Sequence, residues 1–154
     1  MTAKQFTWLH LSDIHIGQKG QWLWPNFKAK FLEDLRRLSI DAGPIHLVLF
    51  SGDLTQNGGE DQYELLTKEL LEIWEMWDKL GQNPILFTVP GNHDLVRPPS
   101  NDARLKMLIQ WDNDSDVVKE FWEEDNNQYI QLVSSAFANY SKWQDKASSQ
   151  GINL

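Results

Sequence analysis

The chain has 154 residues, of which 41% are apolar and 12% aromatic, the composition of one globular domain with a sizeable core rather than of a disordered segment. Its 14 Lys and Arg stand against 22 Asp and Glu, a formal net charge of -8, so it lacks the basic surface of a sequence-independent nucleic-acid binder, and a polyanionic substrate would need help, of which bound divalent cations are one source. With no cysteine, a disulfide framework, a thiolate zinc site and a Cys nucleophile are all excluded.

Three short apolar runs alternate with helical patterns. Phe6 to Leu11 (FTWLHL), Ile45 to Phe50 (IHLVLF) and Ile85 to Val89 (ILFTV) are rich in β-branched and aromatic residues and bounded by turn formers, the signature of strands. Their nearly unbroken apolar character predicts strands covered on both faces. Between the first two, Phe27, Phe31, Leu35 and Leu38 recur at helical spacing, with Pro25 suited to a first turn and Gly43 past the end. Between the second and third, Tyr63, Leu66, Leu70, Ile73, Trp74 and Trp77 form the apolar stripe of a second helix, with Gly81 as its C-terminal cap.

The order β-α-β-α-β implies parallel strands joined by right-handed crossovers. Residues 102–111 and about 116–145 read as further helices, the latter with Tyr129, Leu132, Val133, Ala136, Tyr140 and Trp143 on one face. The fold class is therefore α/β, a parallel sheet unit followed by helices. One domain is expected over residues 1–146, with 147–154 a weakly structured tail. No run approaches the roughly 18 apolar residues of a membrane span. The start, MTAKQFTWLHLSDIH, lacks a signal peptide's apolar core and cleavage site. A cytoplasmic protein without membrane association is expected.

The polar residues collect where the strands end. The first strand runs into Ser12-Asp13-Ile14-His15, the second into Ser51-Gly52-Asp53, the third into Gly91-Asn92-His93-Asp94. In an open α/β sheet the carboxyl ends of the strands share one edge, so these three segments would meet there. Mixed oxygen and imidazole donors suit Mn, Fe or Zn, whereas an all-oxygen set would point to Mg or Ca. Asp13 and His15, two apart on extended chain, would point the same way and grip one ion. Asp53 has a second oxygen for another ion, to which Asn92 would lend its carbonyl. The glycines before Asp53 and Asn92 would permit sharp turns and close approach of the backbone.

Gly-Asp and Asp-x-His pairs are common by chance, but Gly-Asn-His-Asp is expected in fewer than about one chain of this length in a thousand. Duller readings exist: Asp13 and Asp53 as helix caps, Asn92 as a turn former, His15 and His93 as surface loop residues. The ordered set outweighs them. His10, inside the first strand, and His46, at the far end of the second, are left outside the site, and Arg97 reads as well as a solvated loop charge as a phosphate contact. Trp22, Trp24, Trp74 and Trp77 suggest a stacking surface, yet aromatics at helical spacing are more often core.

The motifs HLSDIHIG, LFSGDLT and VPGNHD resemble the first three signatures of the calcineurin-like metallophosphoesterase superfamily. The resemblance implies the first half of that superfamily's αββα sandwich and two divalent ions, Mn²⁺ foremost, with Fe or Zn as alternatives. It gives Asp13 and His15 to the first metal, makes Asp53 the bridge, and gives Asn92 to the second metal. It makes His93 the catalytic histidine near the leaving group, with Asp94 orienting it. The implied reaction is hydrolysis of a phosphate ester, mono- or diester, by a metal-bridging hydroxide.

One departure matters. The superfamily's later motifs supply further histidines, whereas here the four histidines are at 10, 15, 46 and 93 and none follows Asp94. The second metal would keep only Asp53 and Asn92. The chain thus reads as the amino-terminal part of a phosphoesterase domain with little activity alone; the alternative is a non-catalytic scaffold on the same fold. Without the second half-sandwich, apolar sheet surface would stay open to self-association unless the helices over residues 102–145 cover it.

Overall fold

The computed structural model describes residues 5–20, 23–123 and 127–154. Strands β1 (Trp8–Leu11), β2 (Leu47–Ser51) and β3 (Ile85–Val89) alternate with helices α1 (Leu23–Asp41) and α2 (Glu60–Asp78). They form a parallel sheet in the order β1-β2-β3, confirming the α/β class. Helices α3 (Ala103–Ile109), α4 (Ser115–Glu123), α5 (Gln128–Ala136) and α6 (Ala138–Ser149) follow, with a single 3-10 turn at Trp111–Asn113.

Both crossovers step the same way along the sheet, and right-handed crossovers of that kind put both helices on one face. Val48, Phe50 and Leu86 point into that face and join one core with Leu35 of α1, six apolar residues of α2, and Tyr140 and Trp143 of α6. The α2 stripe is buried as its spacing predicts: Tyr63, Leu66, Leu70, Ile73, Trp74 and Trp77. Trp77 donates its indole N–H to Ser39 Oγ at 2.9 Å, so the polar end of a fully buried ring is satisfied by α1.

The opposite face corrects the expectation of strands covered on both sides. Trp8, Ile85 and Phe87 remain 55%, 50% and 58% exposed. Cross-strand register sets Trp8, Leu47 and Ile85 in one row and His10, Leu49 and Phe87 in the next. The helices after β3 pack on α2 and on one another, and leave that face open. On α1, Phe31 and Leu35 face inward, but Phe27 and Leu38, expected on the same stripe, are about half exposed.

The predicted helix over residues 116–145 is three helices. Ala136 gives its carbonyl to Val96 N at 2.9 Å, tying the α5 end to the loop after β3, and Phe137 marks the break with φ -93 and ψ 8. Asn127 caps α5 by accepting from Tyr129 N and Ile130 N. Val133, expected on the inner face, is 38% exposed. The tail expected from 147 is packed instead: Ala147 and Ile152 are buried, and Leu86 N donates to Asn153 O at 2.6 Å on the free side of β3. Trp22 lies outside the described residues.

Candidate metal centre

The loops leaving β1 and β2 stay side by side beyond the sheet. Asp13 N donates to Gly52 O, His15 N to Asp53 O, Ile16 N to Leu54 O and Gln56 N back to Ile16 O, over 2.9 to 3.2 Å. Asp13 (φ 58), His15 (φ 47) and Asp53 (φ 53) all occupy the left-handed region, costly for residues with a Cβ and concentrated at functional sites. This differs from the extended Asp13-x-His15 segment expected: the side chains converge because the backbone coils after Leu11.

The convergence is close. His15 Nε2 is 3.7 Å from Asp13 Oδ1 and 3.7 Å from Asp53 Oδ2. Donor atoms of His15, Asp53 and His93 all lie within 4.8 Å of one another, and the two imidazoles meet edge to face at 4.8 Å. His15, Asp53 and His93, with Asp13 beside His15, form a donor set that fits a divalent transition metal.

Two glycines permit the crowding. Gly52 takes φ 90, and a Cβ there would come within 3.0 Å of Gly91 Cα. A Cβ on Gly91 would collide with the Asp53 carboxylate and its backbone nitrogen. His93 N in turn donates to Asp53 Oδ1 at 3.1 Å, fixing one oxygen of that carboxylate.

The third loop is held by Asp94, which is fully buried. Its carboxylate accepts from Leu54 N (3.1 Å), Thr55 N (2.7 Å), Thr55 Oγ1 (3.1 Å) and Gly91 N (2.8 Å). The expected contact from Asp94 to His93 is not among them. The carboxylate turns inward, where N–H donors compensate its burial, and clamps the β2 and β3 loops together. His93 is oriented instead by Gln56, whose backbone carbonyl accepts from His93 Nδ1 at 2.9 Å.

Asn92 is exposed at the tip of the loop, and Arg97 is exposed beyond it. His46 stacks on Phe6 and accepts from Thr7 N at the far end of the sheet. His10 Nε2 pairs with Ser51 Oγ at 2.6 Å.

Sequence reading missed the supports. Thr55 and Tyr63 are buried, and the Tyr63 hydroxyl donates to Asp94 O at 2.9 Å. Burial, with Asp94 close by, raises the Tyr63 pKa well above the ordinary phenol value. Buried Thr55 follows Asp53 by two residues in the second motif, a signal that was available. Gln56 acts through its carbonyl, which no side-chain pattern reveals.

A parallel α/β sheet whose strand ends gather Asp, His, Asp and His at one edge offers a candidate site for a divalent metal. The profile of the calcineurin-like phosphoesterase family matches residues 6–147, and the chain belongs to that family. It is 28% identical over 132 residues to a "Probable glycerophosphodiester phosphodiesterase GpdQ" of Arcobacter nitrofigilis, a match covering 84% of this chain and 39% of that protein. It is 30% identical over 113 residues to the DNA polymerase II small subunit of Methanocaldococcus jannaschii, covering 64% of this chain and 18% of that one. The chain thus spans less than two fifths of the curated relatives it matches. No helix among the described residues is long and apolar enough to cross a membrane.

Proposed function

We propose that this chain carries the first metal site of a phosphodiesterase and, by itself, hydrolyses phosphate esters only weakly. The observation that supports this best is the mutual approach of the His15, Asp53 and His93 donors within 4.8 Å, beside Asp13. Asp13, His15 and Asp53 hold the first cation, Mn²⁺ being the expected ion. Asp53 and the exposed Asn92 make a thin second position. When both ions are bound, such a pair activates water and neutralises charge on phosphate.

The chain's own contribution is positioning. Asp94 locks the two loops, Gly91 lets Asp53 approach, and the Gln56 carbonyl holds His93 through Nδ1 beside Asp53 and His15, where the imidazolium form would protonate a leaving oxygen. A diester is the first substrate class to test, because a matched relative is named a phosphodiesterase. The open sheet face, with Trp8, Ile85 and Phe87 exposed, draws copies of the chain together.

The test is hydrolysis of bis(p-nitrophenyl) phosphate with Mn²⁺. A rate barely above a metal-only blank, lowered further by Asp53→Asn, fits the proposal. Robust Mn²⁺-dependent turnover by the purified monomer would refute the weak-activity reading and call for ligands not named here.

A further inference from the structure

Resting on that placement of His93 as proton donor at the metal centre, we infer that Gln62 is a positioning residue for it. Gln62 fixes the peptide between Gln56 and Asn57, and so decides which nitrogen of His93 keeps its proton. The side chain lies in the first turn of α2 and is 7% exposed. Its Oε1 accepts from Asn57 N at 3.0 Å and from Gln56 N at 3.1 Å. Only the oxygen of an amide accepts, so these two bonds set the orientation of the side chain. Asn57 N–H and Gln56 C=O belong to one trans peptide and leave it on opposite edges. The carbonyl edge accepts from His93 Nδ1 at 2.9 Å. Gln62 and His93 therefore hold one rigid plane from its two sides, and a peptide bonded at both edges is the more strongly polarised acceptor.

Helix capping does not account for Gln62. A Gln at the third position of a helix commonly reaches back to the backbone N–H of the N-cap residue. Here the N-cap is Gly59, whose N–H goes to Asn57 Oδ1 at 3.2 Å, and Gln62 reaches past it to Asn57 and Gln56. Gly17 leaves room for this: a Cβ on it would come 2.5 Å from Gln62 Nε2, so the loop after β1 closes over the amide. The opposite arrangement of His93 is close at hand. The Gln56 side-chain nitrogen is 3.4 Å from His93 Nδ1, and donation from it would require the tautomer protonated on Nε2. With the carbonyl as partner, Nδ1 keeps its proton. When the imidazolium protonates a leaving oxygen, the N–H that breaks is then the one at Nε2, and the neutral Nδ1–H form remains.

The test uses the whole chain, labelled with ¹⁵N, freed of metal by a chelator and held at about pH 9, above the ordinary histidine range. Long-range ¹H–¹⁵N spectra report which nitrogen of each imidazole bears the proton. The unmutated chain should show His93 protonated on Nδ1. Gln62→Met, similar in length but without the acceptor, should move the His93 tautomer ratio about threefold to tenfold toward Nε2–H, the worth of one hydrogen bond. Gln62→Glu restores an acceptor oxygen and should return the ratio. Gln82→Met is the control: it removes a like bond, from Ile45 N to Gln82 Oε1 at 3.0 Å, at the far end of the sheet, and should leave His93 as it was. Should Gln62→Met not fold, Gln62→Asn, whose oxygen stops one methylene short, makes the same comparison. His93 protonated on Nε2 in the unmutated chain, or a ratio unmoved by loss of the Gln62 acceptor, would overturn the inference. Mn²⁺ added afterwards tests the metal centre separately: a His15 signal that does not broaden counts against that reading, while the metal-free spectra still decide the role of Gln62.

Discussion

The buried carboxylate of Asp94 accepts both the backbone N–H of Thr55, at 2.7 Å, and its hydroxyl, at 3.1 Å. One side chain thereby joins the loop after β3 to the loop after β2, and the same carboxylate also takes Leu54 N and Gly91 N. Asp94→Ala would strand these donors in the interior at about 1–3 kcal/mol apiece where water cannot replace the oxygen. Chemical denaturation should show a loss of about 3 kcal/mol or more. Metal affinity should fall with it, because Asp53 and His93 sit on the two loops that separate. A stability within experimental error of the parent chain would show that Asp94 is not the clamp described.

Gly91 provides a cleaner steric probe, since its φ is not positive and alanine suits the backbone there. Its added methyl would meet the Asp53 carboxylate directly. Overpacking of this kind costs about 1–3 kcal/mol, and because the clash includes the Asp53 backbone nitrogen, its relief shifts the loop after β2 together with the Asp53 carboxylate. Gly91→Ala should therefore retain its circular dichroism spectrum yet bind Mn²⁺ at least about tenfold more weakly, a difference of about 1.4 kcal/mol. Parental Mn²⁺ affinity would contradict the close approach.

All three tyrosines titrate high, for related reasons. Burial comes first in each: for Tyr63 the Asp94 charge adds to it, for Tyr129 the charges of Glu120 and Asp114, and for Tyr140 again Asp94. A phenol whose folded pKa is raised stays protonated where the unfolded chain ionises. The stability it contributes is whole below about pH 10, the unfolded value, and is lost as pH rises above it. Phenolate absorbance should therefore appear together with loss of the tertiary signal, not before it. Three tyrosines titrating near pH 10 in a fully folded chain would count against this packing.

The row Trp8, Leu47, Ile85 and the row His10, Leu49, Phe87 offer an apolar surface on an acidic protein. Phe87→Lys places a charge on it without touching the core, as Phe87 is 58% exposed. Light scattering should show less self-association than in the parent chain, and the melting temperature should change little. Unchanged association would place the contact elsewhere.

How far the sequence disclosed this structure varies with the kind of interaction. The α2 stripe from Tyr63 to Trp77 was plain because helical period and burial coincide in one element. The strands were located correctly, but their covering was misjudged. Unbroken apolar runs look alike whether the second face is packed or open, and two crossovers stepping the same way decide that. At the site, Asp13, His15, Asp53 and His93 come together at one sheet edge, as parallel strands require. The direction of Asp94 was illegible, because its partner Thr55 lies 39 residues earlier while His93 is its neighbour in sequence. Gln56 acts through a backbone carbonyl, a group every residue possesses.

Mn²⁺ binding to the chain and to Asp53→Asn, followed by electron paramagnetic resonance of the free ion, tests the central claim most directly. The account predicts one saturable tight site per chain, a second far weaker, and loss of both in Asp53→Asn, because that carboxylate is common to them. Absence of saturable binding, or a tight site that survives Asp53→Asn unchanged, would contradict it.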